Sequence, residues 1–295
     1  MKDIVLITGR GMISNKLALL LSKEGYSVRF LSRTKAKDTF IWDINSKYIQ
    51  EGAFDGVKHI IHLAGENIST GRWTKKKRNR IIESRVQSSQ LIFEYLNQNN
   101  INLDNFISAS AIGYYGTFNS NKILNEKDNV GKDFLAEVCY KWEQMANQFT
   151  QVAVNTNIVR IGVVFDKDDG AFSKIVAPIK KGLGAILGSG KQYIPWIHIE
   201  DLMQIFLFLI KNNFNNEIFN AVAPNFITNK ELTKKIAFKL KKKLILPNIP
   251  KFALKIILGE MSSILLKGSR ISSEKIIKVG YEFKYSAIEQ LLDEL

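Results

Sequence analysis

The sequence holds little of what defines secreted, membrane-spanning or disordered proteins. Its one cysteine, Cys139, cannot form a disulfide within the chain, which favours a reducing compartment. No apolar run reaches the roughly 18 residues of a transmembrane helix, and the richest stretch, 203–210, is far shorter. Met1, Lys2 and Asp3 lead directly into an apolar run, without the separate regions of a signal peptide. We therefore expect a soluble, cytoplasmic protein without a membrane partner.

Composition and length indicate a folded protein with a full core. Apolar residues make up 45% and charged residues 24% of the 295 positions, both within the globular range. A chain of this length can bury a core without disulfides or metals, as one large α/β domain or two smaller ones.

The charge is strongly basic, with 42 Lys and Arg against 28 Asp and Glu, a net +14. Such an excess of positive charge can indicate a protein that binds nucleic acid. No nucleic-acid motif accompanies the charge, so we favour solvated surface positions and do not expect nucleic acid as a partner. The densest run, 75–78 with Arg80, has two interpretations. It could attract an anionic substrate such as a nucleotide-sugar at a cleft mouth, or form a solvated helix face.

Apolar runs alternate with helical patterns, which predicts βαβ units and a parallel sheet. The predicted strands are Asp3–Thr8, Ser27–Ser32, Phe40–Trp42, His59–Leu63, Phe106–Ser110, Asn157–Phe165, Trp196–Ile199 and Phe219–Val222. The predicted helices include one from Leu17 towards Gly25, Ser84–Leu96, Phe134–Phe149 and one from Asp201, which we interpret as its N-cap.

A glycine turn follows the first strand and opens a helix. After Thr8 the chain reads Gly9, Arg10, Gly11, Met12, Ile13 and Ser14. In a dinucleotide site the first glycine allows the tight turn, and the second lets the backbone approach the pyrophosphate at a helix N-terminus. We therefore predict that residues 8–13 bind a dinucleotide; an ordinary strand–helix turn is the alternative.

The second strand ends in Ser32, Arg33, Thr34 and Lys35, without a carboxylate. An NAD site usually has Asp or Glu here to hold the ribose 2′-hydroxyl. The planar guanidinium of Arg33 suits a 2′-phosphate instead, which favours NADP(H), with Arg10 and Lys35 as secondary candidates. An exposed surface arginine is the alternative interpretation.

Later motifs resemble the "epimerase family" branch of atypical, extended short-chain dehydrogenases, some members of which carry a cell-division-inhibitor label. They stand in the expected order across nearly the whole chain: His62-Leu63-Ala64-Gly65-Glu66, Gly71-Arg72-Trp73, Ser108 to Gly116, Lys141-Trp142-Glu143, Val159 to Val164, Trp196 to Leu202, Gly259-Glu260-Met261 and Gly280 to Phe283.

The resemblance implies an α/β, Rossmann-type doubly wound parallel sheet with a smaller C-terminal α-rich substrate domain. We expect the NAD(P)-binding domain over 1–165, with 190–224 returning to the sheet, and the substrate domain over 166–189 and 225–295. The resemblance also implies bound NADP(H) beside Leu63, Ala64, Gly65, Ser108 and Arg160, and a substrate cleft between the lobes. The glycine turn departs from the family pattern T-G-G-T-G-x-I-G, because it is one residue shorter and ends in Ser14.

The catalytic pair of short-chain dehydrogenases is missing. They generally use Tyr-x-x-x-Lys on one helix, in which the ammonium favours the phenolate. No tyrosine here has a lysine four residues later, and Leu135 and Cys139 stand in the expected positions. The remaining catalytic candidates are Ser110, Tyr114 and Tyr115, with Lys141 as a nearby cation.

The other reactive side chains have structural interpretations. We expect His198 to be a structural histidine and Cys139 to be core. His59 and His62, three apart on one strand, should point to opposite faces, and no metal site is expected. The leading hypothesis is an NADP(H)-dependent oxidoreductase or epimerase-like enzyme acting on a small molecule. The alternative is a cofactor-binding regulator or sensor that has lost catalysis. For the assembly, a homodimer is one state that the sequence leaves open.

Overall fold

A computed structural model describes residues 3–120 and 122–295; Met1 and Lys2, on which the signal-peptide expectation partly rests, lie outside this part. The described strands are β1 (Ile4–Thr8), β2 (Ser27–Ser32), β3 (Thr39–Asp43), β4 (Tyr48–Ile49), β5 (Val57–His62), β6 (Leu103–Ala111), β7 (Ile123–Leu124), β8 (Ala153–Ile161), β9 (Val163–Phe165), β10 (Trp196–His198), β11 (Ile218–Ala221) and β12 (Arg270–Ile271).

The described α-helices are α1 (Met12–Lys23), α2 (Lys75–Gln98), α3 (Phe134–Ala146), α4 (Gly170–Lys180), α5 (Ile199–Lys211), α6 (Asn229–Lys239), α7 (Lys251–Leu258), α8 (Ser262–Leu266), α9 (Glu274–Lys278) and α10 (Ile288–Leu292). Short 3-10 helices cover Ile112–Tyr115, Asn147–Gln151 and Gly259–Met261. None of the helices in the described ranges is long and apolar enough to cross a membrane.

Eight of the described strands form one sheet in the order β11-β8-β6-β5-β1-β2-β3-β4. All neighbours are parallel except β3 and β4. The order reverses between β1 and β5, which is the switch point where doubly wound sheets bind their ligands. This confirms the predicted Rossmann-type fold.

Alternate residues of the central strands enter two separate cores. On one face Val5 and Ile7 pack with α1 and α5, and on the other Leu6 packs with α2 and α3. This follows from the two-residue period of a strand. A third core lies in the C-terminal part, where α4, α6 and α10 surround Trp196.

The strand predicted over Asn157–Phe165 is wrong as a single element, because it breaks at Gly162 into β8 and β9. A Cβ at Gly162 would lie 2.6 Å from the Pro195 carbonyl oxygen, so only glycine fits this crossing. Beyond it β9 pairs with β10 in a separate sheet, while β11 joins the main sheet beside β8. The domain boundaries given above stay a prediction.

Candidate functional site: the cofactor groove

The glycine turn lies at the switch point between β1 and β5. Gly9 has φ +78°, and a Cβ there would lie 3.3 Å from the Cα of Ala64, so both backbone angle and space require glycine. The Gly9 amide donates to the Leu31 carbonyl at 2.8 Å, which ties the turn to β2. A Cβ on Gly11, by contrast, would meet no atom within 4 Å. The turn therefore leaves an open approach over Gly11 at the start of α1.

Ser14, which replaces the family's last glycine, is accommodated inside the turn. Its hydroxyl accepts from the Gly11 amide at 2.7 Å and lies 3.1 Å from the Gly11 carbonyl, and its side chain is buried. The serine thus occupies one backbone donor of the turn. The amides of Met12 and Ile13 in the first turn of α1 have no intrahelical acceptor, because helices leave their first amides free. These amides can receive an anion at the positive end of the helix.

Thr8 has a different role from the one predicted. It is fully buried, and its hydroxyl accepts from the amides of Leu63 and Ala64 at 3.0 and 3.1 Å. The Thr8 hydroxyl then donates its own proton to His62 Nδ1, 2.9 Å away. Because Nδ1 accepts, we assign the imidazole proton to Nε2, which lies 3.2 Å from Ser88 Oγ. Thr8 therefore positions the loop after β5 from behind. Burial lowers the pKa of His62 to about 3, so the ring is neutral.

Arg33 is exposed directly after β2. Arg10 is exposed too, but its guanidinium donates to the Lys37 carbonyl and Thr39 Oγ1 and lies 4.5 Å from the Phe30 ring centre. Arg10 thus closes the short β2–β3 connection, whereas the charge of Arg33 lies close enough to Glu66 to act on its carboxyl group. The pKa of Glu66 is lowered chiefly by its hydrogen bond from Lys77, with Arg80 and Arg33 contributing charge.

The predicted cofactor residues thus divide into two groups. Those exposed or half-buried along the groove are Gly9, Arg10, Gly11, Met12, Ile13, Arg33, Leu63 and Gly65. Those buried behind it are Thr8, Ala64, Ser108 and Arg160. The Ser108 hydroxyl donates to the Ala109 carbonyl at 3.0 Å, so its side chain is used within β6.

Candidate functional site: the buried arginine network

Arg160, at the carboxyl end of β8, is buried and paired with Glu143 of α3. Its Nε donates to Glu143 Oε1 at 2.9 Å and its NH2 to Oε2 at 2.8 Å. Burial opposes the charged form, but the Glu143 carboxylate outweighs it and raises the pKa of Arg160. The guanidinium, predicted to line the cofactor, is instead committed to a bidentate pair inside the protein.

Two of the predicted catalytic residues are bound into this network. Ser110 Oγ donates to Glu143 Oε1 at 2.6 Å. Tyr115 Oη donates to Asn220 Oδ1 at 2.7 Å and accepts from Arg160 at 3.1 Å. Burial raises the pKa of Tyr115 to about 12, so this phenol keeps its proton.

Tyr114 differs from both, since its side chain is half-buried. Its ring centre lies 3.4 Å from the Arg160 guanidinium carbon and packs edge-on against Tyr115 at 5.6 Å. Arg160 is therefore the cation beside the tyrosines. Lys141, proposed above for that position, is exposed and paired with Glu137 at 2.7 Å, so that expectation is wrong.

The face of α3 that carries Tyr and Lys in other short-chain dehydrogenases carries Leu135, Cys139 and Glu143 here. A Cβ at Gly113 would lie 3.2 Å from Leu135 Cβ and 3.4 Å from Cys139 Sγ, so the helix packs on the 112–115 turn. Burial raises the pKa of the Cys139 thiol to about 12, which excludes a resting thiolate. Glu143 was not among the predicted site residues, although its spacing of four from Cys139 places it on the same face.

Arg85 of α2 was also missed. Its side chain packs against Gly65, where a Cβ would lie 2.9 Å from the guanidinium carbon. It donates to the Glu66 and Ile81 carbonyls at 3.1 and 2.9 Å and lies 5.0 Å from the Trp142 ring centre. No residue pattern pointed to it, because only the fold brings α2 beneath the loop after β5.

The remaining histidines are structural in their contacts. His198 accepts from the Glu200 amide at 3.2 Å and stacks on Tyr285 with 3.5 Å between ring centres. His198 is therefore the N-cap of α5, and the assignment of that role to Asp201 is wrong. Asp201 is buried and accepts from the Tyr281 hydroxyl and from the amides of Lys284 and Tyr285.

His59 lies at the amino end of the sheet, where the fold brings Asp3 and Asp104 beside it. One ligand atom from each falls within 4.8 Å of the others. Asp3 is exposed, Asp104 is half-buried and Asn105 contacts the His59 ring at 3.1 Å, so we assign no metal to this cluster.

Comparison with known proteins agrees with this geometry. Residues 5–221 match the NAD dependent epimerase/dehydratase family, and 249–295 match a domain of unknown function, DUF1731. The chain belongs to the epimerase/dehydratase family. It is 32% identical to the chloroplastic epimerase family protein SDR39U1 homolog of Arabidopsis thaliana, over 98% of this chain and 85% of that protein.

Two solved structures extend the comparison. Human epimerase family protein SDR39U1 (isoform 2), determined with NADPH, superposes with a TM-score of 0.88 at 26% identity, covering 99% of this chain and 98% of that one. A nucleoside-diphosphate sugar epimerase from Corynebacterium glutamicum superposes with a TM-score of 0.79 at 26% identity, covering 99% of this chain and 57% of that one. This family member is thus an NAD(P)-binding protein of the extended short-chain dehydrogenase type.

Proposed function

We propose that the protein binds NADP(H) and acts as an oxidoreductase or epimerase-like enzyme on a small carbonyl or hydroxyl compound, with sugar nucleotides as the first class to test. The observation that carries the proposal is the groove itself. It combines the Gly9 turn against Ala64, open space over Gly11, and exposed Arg33 where NAD sites have a carboxylate. The NADPH in human SDR39U1 and the substrate class in the name of the Corynebacterium protein support it.

The residues of the groove fit the cofactor, and each has a definable task. The amides of Met12 and Ile13 would hold the pyrophosphate, and the Arg33 fork would hold the 2′-phosphate. When bound, NADP(H) supplies hydride transfer at its nicotinamide ring. The loop 63–65, fixed from behind by Thr8, would bound the groove on the side of β5.

We assign contact with the substrate oxygen to the Tyr114 hydroxyl. Ser110 and Tyr115 already donate their protons within the network, whereas Tyr114 is half-buried and its hydroxyl donates to no described residue. Packing on Arg160 would hold the Tyr114 ring in one orientation. The phenol would then donate a hydrogen bond to the substrate oxygen, while Ser110 and Tyr115 hold the network that positions Arg160.

The test has two readouts on a panel of sugar nucleotides and small carbonyl compounds. Net conversion between NADPH and NADP reports an oxidoreductase, and conversion of the substrate itself reports an epimerase, which leaves the cofactor unchanged overall. Turnover on any member that is lost in Tyr114→Phe supports the enzyme. Stoichiometric NADP(H) binding without turnover on the panel favours the second candidate, a cofactor-dependent regulator.

The regulator has its own supporting observation. Leu135 and Cys139 replace the catalytic pair, and the Ser110 hydroxyl donates its hydrogen bond to the buried Glu143. It predicts a partner whose affinity differs between NADPH and NADP, because a ligand shifts only states that it distinguishes. Equal affinity in both states would remove this candidate.

A further inference from the structure

A basic and apolar surface lies on the C-terminal part of the molecule, and it includes none of the groove residues named above. We call residues 238–257 the α6–α7 surface. The segment has no acidic residue and six lysines: Lys239, Lys241, Lys242, Lys243, Lys251 and Lys255. Exposed between them are the large apolar side chains Phe238, Ile245, Leu246, Phe252, Ile256 and Ile257. This is a local excess of positive charge and of exposed apolar area in the same short segment.

Helix α7 presents two opposite faces. Leu254 is buried with 8% exposure, whereas Phe252 and Ile256, one helical turn apart, are 67% and 68% exposed. At 100° per residue these two side chains point away from Leu254, while Lys251 and Lys255 lie between the buried and exposed faces. The apolar face is thus turned to solvent, with lysines along one of its borders.

The segment is anchored on the fold. Ile249 pairs with the 186–188 stretch through bonds of 2.8 Å, from its amide to the Ile186 carbonyl and from the Gly188 amide to its carbonyl. Arg72 donates to the Ile256 and Ile257 carbonyls at the end of α7. The exposed apolar side chains are therefore held on an ordered backbone.

We propose that the α6–α7 surface docks on an anionic phospholipid membrane. Lysines attract the negatively charged leaflet, and apolar side chains on the outer face of a surface helix insert at the boundary between headgroups and acyl chains. Charge alone would also suit nucleic acid, but six exposed large apolar groups do not. The sequence-based expectation of no membrane partner rested on the absence of a spanning run, and surface docking needs none.

The test is co-sedimentation of the full chain with vesicles of phosphatidylcholine alone or mixed with phosphatidylglycerol. We expect binding only to the anionic vesicles and weakening by salt. Phe252→Ser with Ile256→Ser, and separately Lys241→Gln, Lys242→Gln and Lys243→Gln together, should each weaken binding about tenfold or more.

Matched controls use exposed residues elsewhere. Leu19→Ser with Val154→Ser removes two exposed apolar side chains, as the Phe252/Ile256 variant does. Lys58→Gln, Lys127→Gln and Lys132→Gln together remove three positive charges, as the triple lysine variant does. Both should bind as the unmodified protein does, with unchanged melting temperatures throughout. Equal binding to neutral vesicles, equal losses in the controls, or undiminished binding of the Phe252/Ile256 variant would each overturn the proposal. The last result would indicate a polyelectrolyte site, such as one for nucleic acid.

Discussion

At the scale of single residues, Arg160 and the groups around it decide how the candidate site can work. Its guanidinium is shared among Glu143, Tyr115 and the ring of Tyr114, and its charge is balanced by one carboxylate. Adjacent tyrosines in the sequence thereby have unlike environments. Tyr115 is fixed by two hydrogen bonds in the interior, and the Tyr114 hydroxyl donates to none of the residues that the structure describes.

Substitution of the two tyrosines should therefore give opposite results. Tyr115→Phe removes the donor to Asn220 Oδ1 and one acceptor of the buried Arg160 guanidinium, and we expect a loss of about 1–3 kcal/mol in the free energy of unfolding. Tyr114→Phe should leave unfolding nearly unchanged and reduce turnover on any substrate found. Urea unfolding and steady-state kinetics measure both quantities; a destabilised Tyr114→Phe with full turnover would contradict the assignment.

The catalytic candidates show how far single site residues could be predicted from the sequence. Motif order indicated Ser110, Tyr114 and Tyr115, and the fold does bring them beside Arg160. Which hydroxyl is free could not be predicted, because it depends on Glu143 and Asn220, which lie 33 and 105 positions from their partners Ser110 and Tyr115. Such contacts exist only after the sheet has formed.

At the scale of elements, the Arg160–Glu143 pair joins β8 to α3 inside the protein. Removing one partner of a buried pair leaves an uncompensated charge, so Arg160→Met should cost about 3–5 kcal/mol of unfolding free energy. Arg160→Met combined with Glu143→Leu should recover part of that loss. A double variant no more stable than Arg160→Met would show that the charge is not the cause.

His62 joins β5 to β1 and α2, and it makes stability depend on pH. Its folded pKa, about 3, is below the ordinary value of 6.5, so between these pH values only the unfolded chain takes the proton. The stabilisation is complete above pH 6.5 and falls on acidification by about 1.4 kcal/mol per pH unit. Urea unfolding between pH 7 and 5 measures this slope. His62→Gln should reduce the slope; burial also lowers the pKa of His59 and of His198, and these two rings contribute the rest. An unchanged slope would refute the assignment.

The prediction of helices and strands succeeded where the local residue pattern determines the element, and it failed where contacts with distant residues determine it. The strands before and after the glycine turn followed from apolar runs. Thr228 and Glu231, three residues apart, form a capping box at the start of α6, which such a spacing is enough to indicate. The break at Gly162 and the cap at His198 were missed, because they depend on Pro195 and Tyr285 approaching from distant parts of the chain.

At the scale of the whole molecule, strand order places the glycine turn, the loop after β5 and the end of β2 together at the switch point. The resemblance found in the motifs implied this arrangement, and the fold confirms it. The basic α6–α7 surface was not predicted, because it arises from which apolar side chains the C-terminal part leaves uncovered.

The central claim is that this groove selects NADP(H) through Arg33, and isothermal titration of NADPH and NADH into the protein and Arg33→Ala tests it most directly. We expect NADPH to bind at least about tenfold more tightly than NADH, and Arg33→Ala to remove most of that difference without weakening NADH, since a charge-assisted bond to phosphate is lost. Lys58→Ala, an exposed lysine elsewhere, should change neither. Equal affinities for the two cofactors, or no binding of either, would contradict the account.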